Sequence, residues 1–357
     1  MATRDDYVKQ PIEARARRPS VIETTVVGSY PQPDWLVDKT RYRQTVVPRI
    51  RMPELWRVPA AHLDEAQDDA VRLAVGDMVA AGVDVVTDGE QRRESYFNQF
   101  ANGLSGIDLE RPGEAINRLG KRQAVPRVTG PIERERPVFL RDAQFLRVLT
   151  ARRIKLAVPG PFTLAALAQD EHYRDPERLA MAYARAVNEE LRELEPVLDW
   201  IQLDEPYLEA RADHAKAYAL PAIDRALAGL RKPTCIHVCF GYAFSHALAG
   251  TSKSGGYRFA LELERSAATH LSLEAAQPGL DLSALAAIRG KTVVLGVLDL
   301  GAPTPESADV VAARLREALR HVPAERLVAA PDCGMKYLER SDARARLRAL
   351  VEGARRV

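Results

Sequence analysis

The stretch CIHVCFG, residues 235–241, holds two of the chain's three cysteines with a histidine between them. Such a stretch can form a disulfide, pair a thiol nucleophile with an imidazole base, or supply donors to a soft metal. Its β-branched spacers predict a strand, so Cys235, His237 and Cys239 project to one side. Residues four apart on a strand are separated by about 13 Å, against a limit of roughly 7 Å for a disulfide, which removes the redox pair. Cys235 also lies about 6.6 Å further along the strand than His237. A metal at the strand end meets His237 and Cys239 and misses Cys235, which then reads as a small buried hydrophobe.

Cys333, in PDCGMK, offers a second thiolate. His237, Cys239 and Cys333 together form a zinc-type donor set, with a fourth position that Glu274 in LSLEAA could fill. Two bland readings stand beside this one. A lone histidine is ordinarily a satisfied core residue, and a Cys–His nucleophile pair is open to either thiol, although it leaves the other thiol unexplained. A zinc ion with two thiolates is suited to holding one more sulfur. A free thiol titrates near about 8.5, and binding to the metal removes its proton at neutral pH. The reaction class is alkyl transfer to sulfur.

These residues must be positioned by a scaffold, and the sequence predicts one. Short β-branched runs at 21–28, 83–88, 154–159, Trp200–Asp204, 234–240, His270–Glu274, 292–297 and Leu327–Pro331 alternate with amphipathic patterns at 63–81, Pro176–Leu194 and 308–319. Ser307 and Ser341 stand where N-caps would stand. Alternation of this kind predicts an α/β fold with a parallel sheet, and eight strands predict a closed (β/α)8 TIM barrel. In such a barrel the chemistry sits at the C-terminal strand ends. The unusual residues collect there: Ser29, Asp88 and Glu90, Asp204 and Glu205, His237 and Cys239, Glu274, Asp299, Asp332 and Cys333. Two segments break the rhythm. Residues 31–59 are Pro-rich and predict a loop over the barrel mouth. Residues 102–147 predict a hairpin-like insertion after the second strand, with β-like pieces at 124–129 and 137–141.

The bulk composition excludes other classes. The chain has 357 residues, 46% hydrophobic and 28% charged, with a formal net charge of +2. That balance gives no electrostatic footprint for nucleic acid, and no apolar run is long enough for a membrane span. Residues 1–20 carry Arg4, Arg15, Arg17 and Arg18 beside Asp5, Asp6 and Glu13 without an apolar run, which predicts a solvated arm ahead of a barrel over 21–357. An odd, small cysteine count predicts a reducing, cytoplasmic setting.

Taken together, TTVVGSYPQP, DGE, IQLDEP, IHVC, LSLEAA, LGVLDL and PDCGMK resemble the catalytic C-terminal barrel of cobalamin-independent methionine synthase. The motifs run in the family's order from Thr24 to Lys336. The resemblance implies zinc held by His237, Cys239, Glu274 and Cys333, choosing Glu274 over Glu262 or Glu264. It implies homocysteine binding by Ser29 with its neighbouring backbone, by Glu90 and by Asp204, and methyl transfer giving methionine, as in a 5-methyltetrahydropteroyltriglutamate–homocysteine S-methyltransferase. No catalytic residue is expected beyond the zinc site. The sequence departs from the family in three places. It carries one barrel where the full-length synthase has two. After the third strand it reads VPGPFT, without the family's pterin-packing tryptophan. After the seventh it reads LDLG, with Gly301 in place of the histidine thought to help protonate the folate leaving group. Folate nitrogen is a poor leaving group without a proton. Methyl-folate and a methyl-corrinoid, including one carried by a corrinoid protein, are therefore both expected donors. The alternative is a zinc alkyltransferase for another thiol, similar to the epoxyalkane:coenzyme M transferases. Its sulfonate substrate calls for basic groups, whereas Glu90 and Asp204 suit an ammonium-bearing thiol, although the basic Arg92, Arg93 and Lys336 are also expected near. Tyr96, Phe97 and Phe100 either wall the donor side or pack the core.

Overall fold

The computed structural model describes residues 22–45, 47–253 and 256–357; the arm expected over 1–20, and Val21 of the first expected strand, lie outside the described residues. Eight parallel strands alternate with helices: β1 (Glu23–Thr24), β2 (Val85–Val86), β3 (Arg153–Pro159), β4 (Trp200–Asp204), β5 (Thr234–Val238), β6 (His270–Glu274), β7 (Thr292–Leu298) and β8 (Leu327–Pro331). The sheet order is β1-β8-β7-β6-β5-β4-β3-β2, and a parallel bridge between Thr25 and Val85 brings its two edges together. The fold is the expected (β/α)8 barrel. Strands such as TVVLGVL are apolar almost throughout because helices cover one face and the lumen the other.

The helices start and stop where their sequence allows. Asp175 accepts from the backbone N–H groups of Glu177 and Arg178 and, with a proline at the first helical position, opens Pro176–Leu194. Ala60–Ala81 ends at Gly82, whose φ of 94° suits only glycine readily. Ser307 caps Ala308–Ala318 through the Val310 N–H, as expected. Ser341 does not act as a cap. It lies inside Arg340–Arg355, whose first residue is drawn into the helix by the ion pair of Arg340 with Asp77 at 2.6 Å.

The barrel's seam differs from expectation. β1 and β2 are two residues each, not the longer strands expected at 21–28 and 83–88. Side chains take over from the backbone ladder. Thr24 donates to Asp84 Oδ2 from both Oγ1 (2.7 Å) and its backbone N–H (2.9 Å), and Thr25 Oγ1 donates to the Val85 carbonyl at 2.9 Å.

The insertion after β2 is a hairpin of Ile107–Ile116 against Arg122–Val128, extended by Gln169–Asp170. Asn117 Oδ1 accepts from the N–H groups of Leu119 and Lys121 and forms its tip. Residues 137–141 are not a strand. They lead into the helix Leu140–Leu149, because Glu190 accepts from the Val138 and Phe139 N–H groups just ahead of it. The 31–59 segment reaches the barrel mouth, but it is not loop throughout, since it carries a helix at Lys39–Thr45. It is anchored by Glu94, which accepts from Arg51, Met52 N–H, Trp56 and Asn98. Gln123 of the hairpin donates to the Val47 carbonyl at 2.6 Å, joining the two overlying segments.

Inside the barrel the alternation of side chains builds layers. Val85, Trp200, Cys235, Val294, Val328 and Ala330 form one apolar cluster, distinct from the larger core between strands and helices. Moving toward the C-terminal ends, the inward positions become Gln202, His237 and Ser272, then Asp204 and Glu274. Parallel register aligns Asp204 with His237, and His237 with Ser272.

Candidate functional site

His237, Cys239 and Cys333 each place a donor atom within 4.8 Å of the others, and all three are buried. His237 Nδ1 is fixed against Ser272 Oγ at 2.9 Å, which leaves Nε2, buried and without a protein partner among the described residues, as the free donor. The two thiols share a hydrogen bond. That bond, aided by His237 and Arg118 against the effect of burial, holds Cys239 well below the ordinary thiol range, and it pushes Cys333 well above. A soft divalent cation bound at this set would displace the thiol protons. Glu274 stands outside the group of three. Lys253 donates to its Oε2 at 2.8 Å, while Oε1 is buried without a partner. Burial pushes this carboxyl well above its usual range, with Lys253 pulling the other way. An orphaned imidazole nitrogen, an orphaned carboxylate oxygen and two adjacent sulfurs fit a zinc ion.

Cys235 lies below this cluster, among Trp200, Val294 and Val328. Burial pushes its thiol up to about 12, so it stays protonated and apolar in behaviour.

Ser29, Glu90 and Asp204 line the same pocket as His237, Cys239 and Cys333, a space of about 680 Å³ counting the part open to solvent. Tyr30 N–H donates to the Gly89 carbonyl and Thr87 Oγ1 to the Gly28 carbonyl, so the turns after β1 and β2 hold each other. Glu90 has a φ of 54°, a conformation that costs a non-glycine residue about 1–3 kcal/mol and marks an over-determined position. Gly28 is required beside it, since a Cβ there would stand 2.6 Å from Glu90 Oε1. Burial raises Glu90 to about 7, against the pull of Arg93 and Lys336. Asp204 is likewise raised by burial, and Gln202 donates to its Oδ1 at 2.8 Å. Ser29 Oγ lies 3.3 Å from the Tyr242 hydroxyl, and the Met335 N–H donates to the Ser29 carbonyl, linking this turn to the segment carrying Cys333.

The comparisons with known proteins now bear on this geometry. Residues 22–356 match the family described as cobalamin-independent synthase, catalytic domain. The chain belongs to that family. It is 30% identical over 338 residues to the methionine synthase of Saccharolobus solfataricus, covering 94% of each protein. It is 30% identical over 342 residues to that of Pyrococcus abyssi, covering 94% of this chain and 92% of the relative. The solved structure of a B12-independent methionine synthase from Shewanella sp. W3-18-1, in complex with selenomethionine, is similar with a TM-score of 0.84 and 34% identity, covering 93% of this chain and 96% of that one. As a member of this synthase family the chain is a methyltransferase. No helix among the described residues is long and apolar enough to cross a membrane.

Within this synthase barrel several carboxylates named by strand position serve the frame. Glu205 turns away from Asp204 and accepts from the Phe162 and Thr163 N–H groups, capping the short helix Pro161–Ala166 that occupies the tryptophan-less segment. Asp332 accepts from the N–H groups of Ala275, Ala276 and Gln277, fixing the chain just beyond Glu274. Asp299 accepts from the Gly301 N–H. Arg92 is buried against Asp68 and Asp142, whereas Arg93 and Lys336 stand behind Glu90. Tyr96 lines the pocket; Phe97 and Phe100 are fully buried in the core. Sequence reasoning missed Arg49, Arg118 and Tyr207, which also line the pocket. Arg49 and Arg118 come from irregular segments and Tyr207 opens the short helix Tyr207–Ala210, none of them long enough to show a period, and the single signal for them was the position of those segments in the barrel order.

Proposed function

We propose that the chain is a zinc-dependent thiol methyltransferase that methylates homocysteine to methionine, with the barrel over 21–357 as its catalytic unit. The observation that carries this reading is the buried His237, Cys239 and Cys333 cluster at the base of a pocket that also presents Glu90 and Asp204. The selenomethionine bound by the Shewanella relative supports the choice of amino acid. His237, Cys239 and Cys333, with Glu274 as fourth donor once released from Lys253, would hold the zinc. When bound, zinc supplies a Lewis acid that favours the substrate sulfur in its thiolate form.

The chain's own residues do the rest. Ser272 holds the His237 ring so that Nε2 faces the sulfurs. Ionised Glu90 and Asp204 pair with the substrate ammonium, and Ser29 with its backbone receives the carboxylate. In the transfer, a sulfur lone pair forms the new S–CH3 bond while the bond from methyl to donor breaks, and its electron pair stays on the donor. Methyl-folate must then gain a proton at nitrogen, whereas a methyl-corrinoid leaves as an electron-rich cobalt. Gly301 stands in the sequence where the family's histidine would stand, which supports the corrinoid, free or carried by a protein.

The test is zinc content followed by methionine formation with methylcobalamin and with methyl-folate. Stoichiometric zinc and methionine from methylcobalamin are expected; activity with free methyl-folate alone overturns the corrinoid reading. Cobalt substitution checks the site itself: its visible spectrum should change when homocysteine is added, and an unchanged spectrum overturns the assignment of homocysteine.

A further inference from the structure

Tyr207 follows β4 in the pocket wall, and three guanidinium groups surround its ring. The Cζ atoms of Arg118, Arg211 and Arg49 lie 5.0, 5.8 and 5.9 Å from the ring centre. They arrive from the hairpin tip, from the turn after β4 and from the 31–59 segment. Arg118 donates to the Cys239 carbonyl at 3.5 Å and Arg211 to the Ile116 carbonyl at 3.0 Å, so neither is neutralised by a carboxylate in these bonds. Arg49 is 4% exposed, and its Nε and Nη1 have no acceptor among the described residues. The rings of Tyr96 and Phe97, at 5.1 and 5.2 Å, offset part of its desolvation. They accept no N–H in the manner of an oxygen, and a buried guanidinium left without one is costly. Such a group is expected where a ligand completes it.

Arg49, Arg118 and Tyr207 line the same pocket as the metal cluster. Charge divides this pocket by layer. Glu90 and Asp204 belong to the strand ends and attract an ammonium, while the arginines belong to the overlying segments and attract an anion. We propose that Arg49 and Arg118 form an anion subsite for the methyl donor, which carries a carboxylate or a phosphate group. The proposal rests on the methyltransferase reading and specifies its second substrate. The planar guanidinium fork grips two oxygens of either group. Both arginines position the donor.

The experiment uses the zinc-loaded full chain, titrated calorimetrically with inorganic phosphate and, separately, with glutarate. Saturable binding of at least one is expected, and the tighter of the two names the anion. Arg49→Met should weaken that binding at least tenfold, and Arg49→Lys should restore part of it. In steady-state assays Arg49→Met should raise the donor KM at least tenfold while the homocysteine KM stays within twofold. Absence of saturable binding by both anions, unchanged binding in Arg49→Met, or a KM shift confined to homocysteine overturns the proposal. Should Arg49→Met fail to fold, Arg49→Gln is measured in its place, with the same expected and overturning results. The homocysteine-dependent cobalt spectrum separates the two readings: if it changes normally in Arg49→Met while donor and anion binding are unaltered, the subsite alone is wrong.

Discussion

Cys235 and Cys239 lie on the same strand run, project to the same side and are both buried, yet their surroundings give them opposite chemistry. At the floor of the lumen Cys235 sits in an apolar cluster, and burial pushes its thiol up to about 12 against the pull of Lys155. At the rim Cys239 shares a hydrogen bond with Cys333, stands near His237 and Arg118, and is held well below the usual thiol range. Burial alone silences a cysteine; burial beside donors and cations makes it a ligand. The same division runs through the whole barrel interior, from the cluster around Trp200 to the carboxylates of Asp204 and Glu274.

The sharpest way to break this contrast is to remove each thiol in turn. Cys239→Ala should abolish zinc retention and lower turnover by more than about 100-fold, beyond the cost of losing an outer partner of a metal site. Cys235→Ala should keep zinc and activity within about twofold, and lose roughly 1–2 kcal/mol of stability as a small cavity forms. Metal analysis and thermal melts of the two variants decide it; zinc loss in Cys235→Ala would end the distinction.

Glu90→Gln probes the rim without touching the cluster. Losing a charged hydrogen bond to an ammonium should raise the homocysteine KM by about 10- to 100-fold. Burial, Asp204 and Asp88 raise Glu90 while Arg93 and Lys336 lower it, with a net value of about 7 against an ordinary 4.5. Only the ionised form pairs with the ammonium, so the wild-type KM should climb as pH falls below 7, and the variant's should not. For stability the sign is reversed. A raised carboxyl contributes stability that is present below pH 4.5 and lost as pH rises through 7. Glu90→Gln should therefore gain on the wild type at pH 8, by on the order of 2–3 kcal/mol. Equal melting differences at pH 4 and pH 8 would count against the buried, shifted carboxyl.

The smallest effect belongs to the floor. Lys155 is fully enclosed, donates to Gln202 Oε1, and is lowered by burial from 10.5 to about 8, with Cys235 and Asp204 opposing. A depressed lysine contributes stability that is present above pH 10.5 and lost as pH falls through 8. Lys155→Met should melt about 2–4 °C higher than the wild type at pH 6, with the gap closing by pH 10. A lower melting point at pH 6 would show that the Gln202 hydrogen bond outweighs the buried charge.

Much of this architecture was legible in the chain. Strand–helix alternation located all eight barrel strands, because parallel strands covered on both faces carry an apolar signature. Parity along β5 separated Cys235 from His237 and Cys239. Parity would equally have divided Asp204, facing the pocket, from Glu205, facing a helix cap. The apolar run at 137–141 looked like a strand because nothing local reveals that Glu190, far along the chain, caps the helix that follows. Arg49, Arg118 and Tyr207 meet only in three dimensions, from segments whose sequences carry no period. The shortness of β1 and β2 was hidden for a related reason: threonine hydroxyls, read as strand formers, act there as stitches between segments.

Those stitches give the barrel a preferred place to open. Every other pair of neighbouring strands is joined over at least two registered residues, but β1 and β2 meet through one bridge and a few hydroxyl–carboxylate and hydroxyl–carbonyl bonds. The least protected stretch of the sheet is expected along this seam, where Thr25 faces Val85. The chain continues from these two residues directly to Ser29 and Glu90. An amino acid grasped by both turns would act as a clasp across the seam, and its arrival would be felt as slowed amide exchange along the line where the cylinder's own backbone sews it shut most thinly.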